Sequence, residues 1–292
     1  MAGSFRFDFA LGGSDETLSP TPQGGVVTSA TDSPAVDVER RGTWYYAAAP
    51  DPVIPLPCAV AVPGSGFVRA FADADAVAPG GRDIVRGLYE GGAKVWECTL
   101  DVERWIATSA EALASVSGAS IAVDLGCGAG LLGCAVQRGN PHARVVFQDR
   151  NTAVIKEVTW PTIQLNGGLA SLRSAVLLAA DWERMSADVR AGSPDVGWLR
   201  GAVDLVVSSE TLYAVDAYVP LLNLLDALLA PGGVALFGSK AFYFGVGGSV
   251  AAFVDAARGV PGNPFSVEVA QTFDDGKTVT RAIVRLTRRG CQ

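Results

Sequence analysis

The first chemical signal is Asp124-Leu125-Gly126-Cys127-Gly128-Ala129-Gly130. Alternate glycines let a chain turn sharply and bring its backbone close to a ligand. The apolar run Ile121-Ala122-Val123 precedes them, and a helix is predicted after them over Leu131–Gln137. A helix start carries unpaired N–H groups that favour a polar or anionic ligand group. A doubly wound sheet binds a cofactor in this way, at the end of its first strand. Asp149 lies about twenty residues further on, at the end of a second predicted strand, where an acid accepts hydrogen bonds from both ribose hydroxyls of a cofactor.

The spacing leaves three readings open. DxGxGxG from Asp124 is the form used by S-adenosylmethionine-dependent methyltransferases. Gly128-Ala129-Gly130-Leu131-Leu132-Gly133 also satisfies GxGxxG, the fingerprint of nicotinamide-dinucleotide enzymes, and Asp149 suits that fingerprint as well. Asp124, two residues before the first glycine, favours the methyltransferase register. A glycine-rich turn that binds nothing is the third reading.

Three further clusters flank this turn. In Ala180-Asp181-Trp182, the carboxylate could accept from an adenine amino group while the indole packs on the ring, or Trp182 simply packs in the core. The run Tyr89 to Thr99 holds the glycine pair Gly91-Gly92, a flexible lead-in that could close over a ligand. By periodicity alone, Trp96 is core and Glu97 a solvated helix start. Ser208-Ser209-Glu210-Thr211-Leu212-Tyr213 follows the fourth predicted strand, whose end faces the reacting end of a cofactor held by the first. Glu210 and Tyr213 share one face if this segment is helical. Such residues could orient and deprotonate a nucleophile. Alternatively, Ser208 or Ser209 only caps the next helix.

The elements that must position these residues alternate. Predicted strands cover 120–124, 144–148, 175–178, 203–208, 234–238, 265–269 and 278–286. Helices are expected over 95–114, from 153 onward with Pro161 bending or breaking it, over 218–229 and over 249–257. Pro231-Gly232-Gly233 is a stop signal. The pattern predicts an α/β fold, a doubly wound, mostly parallel seven-stranded sheet with an antiparallel, hairpin-like finish. Residues 81–292 form this domain. Residues 43–80, broken by prolines, are expected to pack on it irregularly. Residues 1–42 are expected to be mostly disordered, since the stretch from about 10 is rich in Gly, Ser, Thr, Pro and Asp. Phe5, Phe7 and Phe9 alternate as in a short strand.

Composition narrows the function classes. With 49% hydrophobic residues in 292, the chain can bury one large core. No apolar run is long enough to span a bilayer, and the N-terminus has no basic segment followed by an apolar core, so no secretory signal is expected. Cys58, Cys98, Cys127, Cys134 and Cys291 have no paired spacing and are expected to be reduced thiols of an intracellular protein. His142 is the one histidine, an ordinary surface residue in a predicted loop, so neither a metal site nor a serine–histidine triad is expected. The 30 acids against 23 bases argue against a broad nucleic-acid surface and favour a basic partner, such as a ribosomal protein or histone, although net negative charge also simply aids solubility.

Taken in order, these pieces resemble one family. They are Tyr89-Glu90-Gly91-Gly92, Trp96-Glu97-Cys98-Thr99, Asp124 to Gly133, Gln148-Asp149, Glu157-Val158-Thr159, Ser209-Glu210-Thr211, Ser239-Lys240-Ala241 and Tyr243-Phe244-Gly245-Val246-Gly247-Gly248. The ordered set is similar to the histidine protein methyltransferases, of the seven-strand, Rossmann-like class I of S-adenosylmethionine enzymes. The likeness runs from about Gly87 to Leu286, and Phe5 to Phe9 resembles the family's opening. At Arg150 the family often has an aromatic, and a loop before the third strand is reduced here.

The resemblance implies S-adenosylmethionine as cofactor and, as substrate, a histidine imidazole in a large-subunit ribosomal protein of the type numbered three. It implies action in cytoplasm or nucleus. The implied cofactor pocket holds Val95, Trp96, Glu97, Cys98, Thr99, Asp124, Gly126, Gly128, Gln148, Asp149, Arg150, Ala180, Asp181, Trp182 and Ser209. Glu210 and Tyr213 match the acid-x-x-aromatic motif near the acceptor. A carboxylate bonded to one ring N–H of an imidazole would fix its tautomer and stabilise the cation that forms, and Glu210 is the candidate. A protein-lysine methyltransferase of the same fold is the nearest alternative, and a nicotinamide-dependent reductase a more distant one.

Overall fold

The computed structural model describes residues 44–47, 59–70 and 91–290. The Phe5–Phe9 arm, the stretch 10–42, much of 43–80, Tyr89 and Glu90, and Cys58 and Cys291 lie outside the described residues.

The central strands are β4 (Ile121–Leu125), β5 (Arg144–Asp149), β6 (Ala175–Ala179) and β7 (Val203–Ser209). Their side chains are buried on both faces, as parallel strands under helices require. Two apolar layers flank the sheet. One includes Val102, Val116, Leu131, Phe147 and Ile163. The other includes Leu178, Met185, Leu221, Leu225 and Phe253.

With β1 (Trp44–Ala47), β8 (Leu229–Lys240), β9 (Phe265–Phe273) and β10 (Arg281–Arg288), the strand order is β1-β6-β5-β4-β7-β8-β10-β9. The seven expected strands run from β6 to β9 in that order. An eighth, β1, pairs antiparallel with β6 at the edge. Two short strands, β2 (Ala59–Ala61) and β3 (Val68–Ala70), form a separate hairpin. The neighbours of β4 are β5 and β7, so the order reverses there, and the crevice beyond the strand ends opens at β4.

Three local features differ from expectation. The helix expected over 95–114 is two helices, α1 (Glu97–Thr108) and α2 (Ala110–Gly118). Ser109 takes an extended conformation between them, and its hydroxyl accepts from the Ala112 N–H, restarting the helix. Pro161 does not break its helix. A π-helical turn, Ile155–Thr159, directly precedes α4, which runs over Trp160–Ser174, and this widened turn accommodates the missing proline N–H. The helix before Pro231-Gly232-Gly233 stops as expected, at Leu228, but these residues then lie within β8, which begins at Leu229, opposite a register shift on β7 between Val203 and Leu205.

The remaining helices are α3 (Leu131–Gly139), α5 (Trp182–Arg190), α6 (Tyr218–Leu228) and α7 (Val250–Arg258). Helix α1 meets β8 at Gly238, where a Cβ would lie 2.4 Å from Val102 Cγ2 and 2.9 Å from the Cys98 carbonyl oxygen. Only a glycine permits that approach, which sets the start of α1 beside the end of β8. Arg281 Nε donates to Asp101 Oδ2 at 2.5 Å and ties α1 to β10 as well. Among the described residues, no helix is long and apolar enough to cross a membrane.

Candidate active site

The glycine turn after β4 adopts a left-handed backbone at Gly126, Gly128 and Gly130, with φ of 66°, 50° and 77°. A Cβ at Gly128 would lie 2.7 Å from the Gly92 carbonyl oxygen, so the Gly91-Gly92 segment rests directly on the turn. The turn is gripped from every side. Gly126 N–H donates to Gln148 Oε1 at 3.1 Å, Cys127 N–H to the Gln148 carbonyl at 2.7 Å, and Gly128 N–H to Asp149 Oδ2 at 3.1 Å. Gly130 N–H donates to the Cys127 carbonyl at 2.7 Å. Thr159, presented by the π-turn, donates its hydroxyl to the Gly128 carbonyl at 2.6 Å. Open amides were expected at the helix start, of which Gly133 N–H is taken within the protein. The amides of the turn itself donate within the protein, so the turn is held rigid where its glycines let a ligand approach.

Asp124 lies beneath the turn, 2% exposed. Its Oδ2 accepts from the Gly133 N–H at 2.8 Å, taking one donor of the first turn of α3. Burial pushes its carboxyl up to about 8, against the Gly133 hydrogen bond, and the charge of Asp149 adds to the rise. Asp149 stands at the end of β5, with Oδ1 accepting from Asn151 N–H at 2.9 Å. Gln148 is wholly internal: its Nε2 donates to the Ala180 carbonyl at 2.6 Å, and its Oε1 also accepts from Trp182 Nε1 at 3.1 Å. That bond holds the indole at the strand end and removes it from a purely packing role. Asp181 is exposed and caps α5, its Oδ1 accepting from Arg184 N–H at 2.8 Å. Arg150 is exposed just past β5.

The residues fit S-adenosylmethionine in kind. The Cβ-free surface at Gly128, the strand-end carboxylate of Asp149 and the indole of Trp182 would take its ribose and adenine. The start of α1 would cover it, with Val95, Trp96 and Thr99 half-buried there. Trp96 is not core. Its Nε1 donates to the Gly91 carbonyl at 3.2 Å, and the ammonium groups of Lys94 and Lys240 stand 4.5 and 5.4 Å from its ring centre. Thr99 Oγ1 and Ser209 Oγ lie 2.8 Å apart, joining α1 to β7. Ser208 does not cap a helix; its hydroxyl donates to the Leu125 carbonyl at 2.7 Å.

The segment after β7 is not helical. Glu210 has φ of 57°, a left-handed conformation in a non-glycine residue. The chain is pinned in this turn by Glu210 N–H donating to the Gly238 carbonyl at 2.8 Å. The Glu210 side chain turns inward, 7% exposed. Its Oε2 accepts from the Tyr243 hydroxyl at 2.6 Å. Its Oε1 is buried with no hydrogen-bond partner, with Lys240 Nζ 3.7 Å away. Lys240 Nζ also pairs with Glu97 Oε2 at 3.2 Å. Tyr213 does not meet Glu210 across a helix face; both meet through Tyr243, whose ring lies edge-on to Tyr213 at 6.3 Å.

The protonation states follow from this crowding. Burial, then the neighbouring Glu210 charge, raise the Cys98 thiol and the Tyr243 hydroxyl well above their ordinary values, so both stay neutral donors. Burial opposes the Lys240 ammonium, but Glu210 and Glu97 outweigh it and hold its pKa above the ordinary lysine value. Burial raises Glu97, yet a backbone hydrogen bond and Lys240 leave it below the usual carboxylate range.

Lys240 and Tyr243 were part of the resemblance but carried no predicted role. Neither lies near Glu210 in sequence; the parallel pairing of β7 and β8, with Ser209 opposite Gly238, brings them there. Thr159 was likewise part of the resemblance, in Glu157-Val158-Thr159, without a predicted role. Among the described residues, no group of three His, Cys, Asp or Glu side chains could hold a metal ion.

A family described as lysine methyltransferase matches residues 86–243. Curated relatives are described differently, as histidine protein methyltransferase 1 homologs. The one from Dictyostelium discoideum is 30% identical over 71% of this chain and 61% of its own length. That from Bos taurus is 32% identical over 70% and 57%, and that from Rattus norvegicus 35% identical over 59% and 50%. The chain thus spans between 50% and 61% of the lengths of these relatives.

Proposed function

The chain belongs to the family described as lysine methyltransferase, and from that membership together with the descriptions of its relatives we propose that it moves a methyl group from S-adenosylmethionine to a histidine imidazole of a protein. The observation that carries the acceptor is Glu210 Oε1, a buried carboxylate oxygen without a hydrogen-bond partner at the end of β7. A neutral imidazole would bring one N–H to this carboxylate while leaving the other ring nitrogen as nucleophile, once the groups that cover it, Lys240 and the Cys98 thiol, give way. The unperturbed imidazole pKa of about 6.5 makes that neutral form abundant at pH 7.

S-adenosylmethionine, when bound, supplies a methyl on a sulfonium, so the C–S bond breaks as the N–C bond forms. The protein's contribution is alignment and charge. Glu210 holds the ring N–H, fixes the tautomer and faces the positive charge that grows on the ring. Tyr243 holds the other carboxylate oxygen in place. Thr99 and Ser209 join the walls between turn and acceptor.

A basic large-subunit ribosomal protein, of the type numbered three, is the substrate we favour. The excess of 30 acids over 23 bases suits a basic partner, and action in cytoplasm or nucleus follows from such a substrate. The printed descriptions of the relatives support histidine, whereas the family description favours lysine. The dinucleotide reading is weakened by the sheet: β10 lies antiparallel between β8 and β9, unlike the strand order of dinucleotide folds.

The test is transfer of labelled methyl from S-adenosylmethionine to a cell extract, with mapping of the acceptor. Label on a histidine, lost when that histidine is replaced by alanine, is expected. Label on lysine would reject the histidine assignment. Thermal stabilisation by NAD and not by S-adenosylmethionine would reject methyl transfer altogether.

A further inference from the structure

Resting on that reading of the site, we propose that Lys240 is a specificity-determining residue: its fixed ammonium makes the Glu210 pocket select a neutral imidazole and reject an ammonium acceptor. The geometry carries this. A carboxylate open to a cationic side chain would gather lysine. Here that position is already taken, with Lys240 Nζ 3.7 Å from Glu210 Oε1 and 3.2 Å from Glu97 Oε2. The ammonium is 17% exposed by side chain, and it stands 5.4 and 6.0 Å from the ring centres of Trp96 and Tyr243. These contacts fix a positive charge beside Glu210 Oε1, a buried carboxylate oxygen that lacks a hydrogen bond.

The consequence differs for the two acceptors. An incoming lysine carries its own proton at neutral pH, since its ordinary pKa is about 10.4. Its ammonium would meet Lys240 at close range, in surroundings that screen charge far less than water. An imidazole arrives uncharged and meets no such repulsion from Lys240. The two carboxylates around Lys240 keep it cationic, so the discrimination does not fade across the physiological pH range.

The test uses the full chain saturated with S-adenosylhomocysteine and two small probes, imidazole and n-butylamine, titrated at about pH 8.5, where the first is mostly neutral and the second an ammonium. Ligand-observed NMR reads both affinities. In the wild type, imidazole should bind at least about tenfold more tightly, the direction set by like-charge repulsion. Lys240→Met should bring the ratio close to one, and Lys240→Arg should keep it. Removing the ammonium leaves Glu210 less compensated, so Lys240→Gln repeats the arm with a polar side chain should the Met variant not fold. Equal affinity in the wild type, no imidazole binding, or an unchanged ratio in Lys240→Met overturns the proposal and leaves methyl transfer standing. Label mapped to lysine in the transfer experiment strikes the histidine reading instead.

Discussion

The two halves of the crevice differ in the groups at their centres, although the first also holds one unmatched buried donor, Asn151 Nδ2. On the side of β4, β5 and β6, the polar atoms that shape the glycine turn are matched: Gln148, Asp149 and Thr159 each take or give a hydrogen bond to it. On the side of β7 and β8, Glu210 keeps one buried oxygen unmatched, in a left-handed backbone, between a lysine and a tyrosine. A saturated network fixes a shape, and an unsaturated buried acceptor has an energetic demand that an incoming donor meets. On the proposed function, the first half is the cofactor's cradle and the second the acceptor pocket.

The comparison breaks most sharply at Gly128. Valine there would force a β-branched residue into φ of 50° and drive its Cβ to 2.7 Å from the Gly92 carbonyl oxygen. The backbone strain alone costs about 1–3 kcal/mol. Gly128→Val should lower stability in urea titration and weaken S-adenosylmethionine binding by at least roughly tenfold in calorimetry, the strain falling on the surface the ligand must touch. Normal binding by a folded variant would put the cofactor elsewhere.

A smaller effect sharpens the cradle side. The Asp124 carboxyl is raised to about 8 by burial, against about 3.9 in an unfolded chain. The folded state therefore holds the proton more tightly. Its contribution to stability is fully present below about pH 4 and is lost as pH rises through about 8. Asp124→Asn cannot ionise and should not follow that decline. Relative to wild type, its melting temperature should gain at least roughly 2 °C between pH 5 and pH 9, the shift that about 1 kcal/mol gives a domain of this size. A constant difference between the two proteins across that range would show that Asp124 is ionised throughout.

The same contrast explains what could be read from the sequence. The cradle is local: Asp124 to Gly133 is continuous, and Gln148-Asp149 ends the adjacent strand, so spacing alone located it. The acceptor side is assembled from Glu97, Glu210, Lys240 and Tyr243, on separate segments, and only the β7–β8 register and the contact of α1 with Gly238 join them. The helical spacing of Glu210 and Tyr213 misled because a single left-handed residue turns the chain after β7, and no propensity marks a glutamate for that conformation. The break at Ser109 was hidden by helix-forming neighbours on both sides. Pro161 was legible as a disturbance, but the π-turn that absorbs it, and that delivers Thr159 to the glycine turn, depends on tertiary packing.

The most direct measurement separates the two halves in one variant. Glu210→Gln keeps the shape of the side chain and removes the charge that faces the acceptor ring. Cofactor affinity by calorimetry and single-turnover methyl transfer to the mapped acceptor should be measured on the same preparation. The expected result is unchanged affinity for S-adenosylmethionine with transfer slowed by about 10²-fold, the low end of what a positioned acid–base group contributes. Unimpaired single-turnover transfer, or a loss of cofactor affinity that matches the loss of rate, would contradict the division of the site into a cradle and an acceptor pocket.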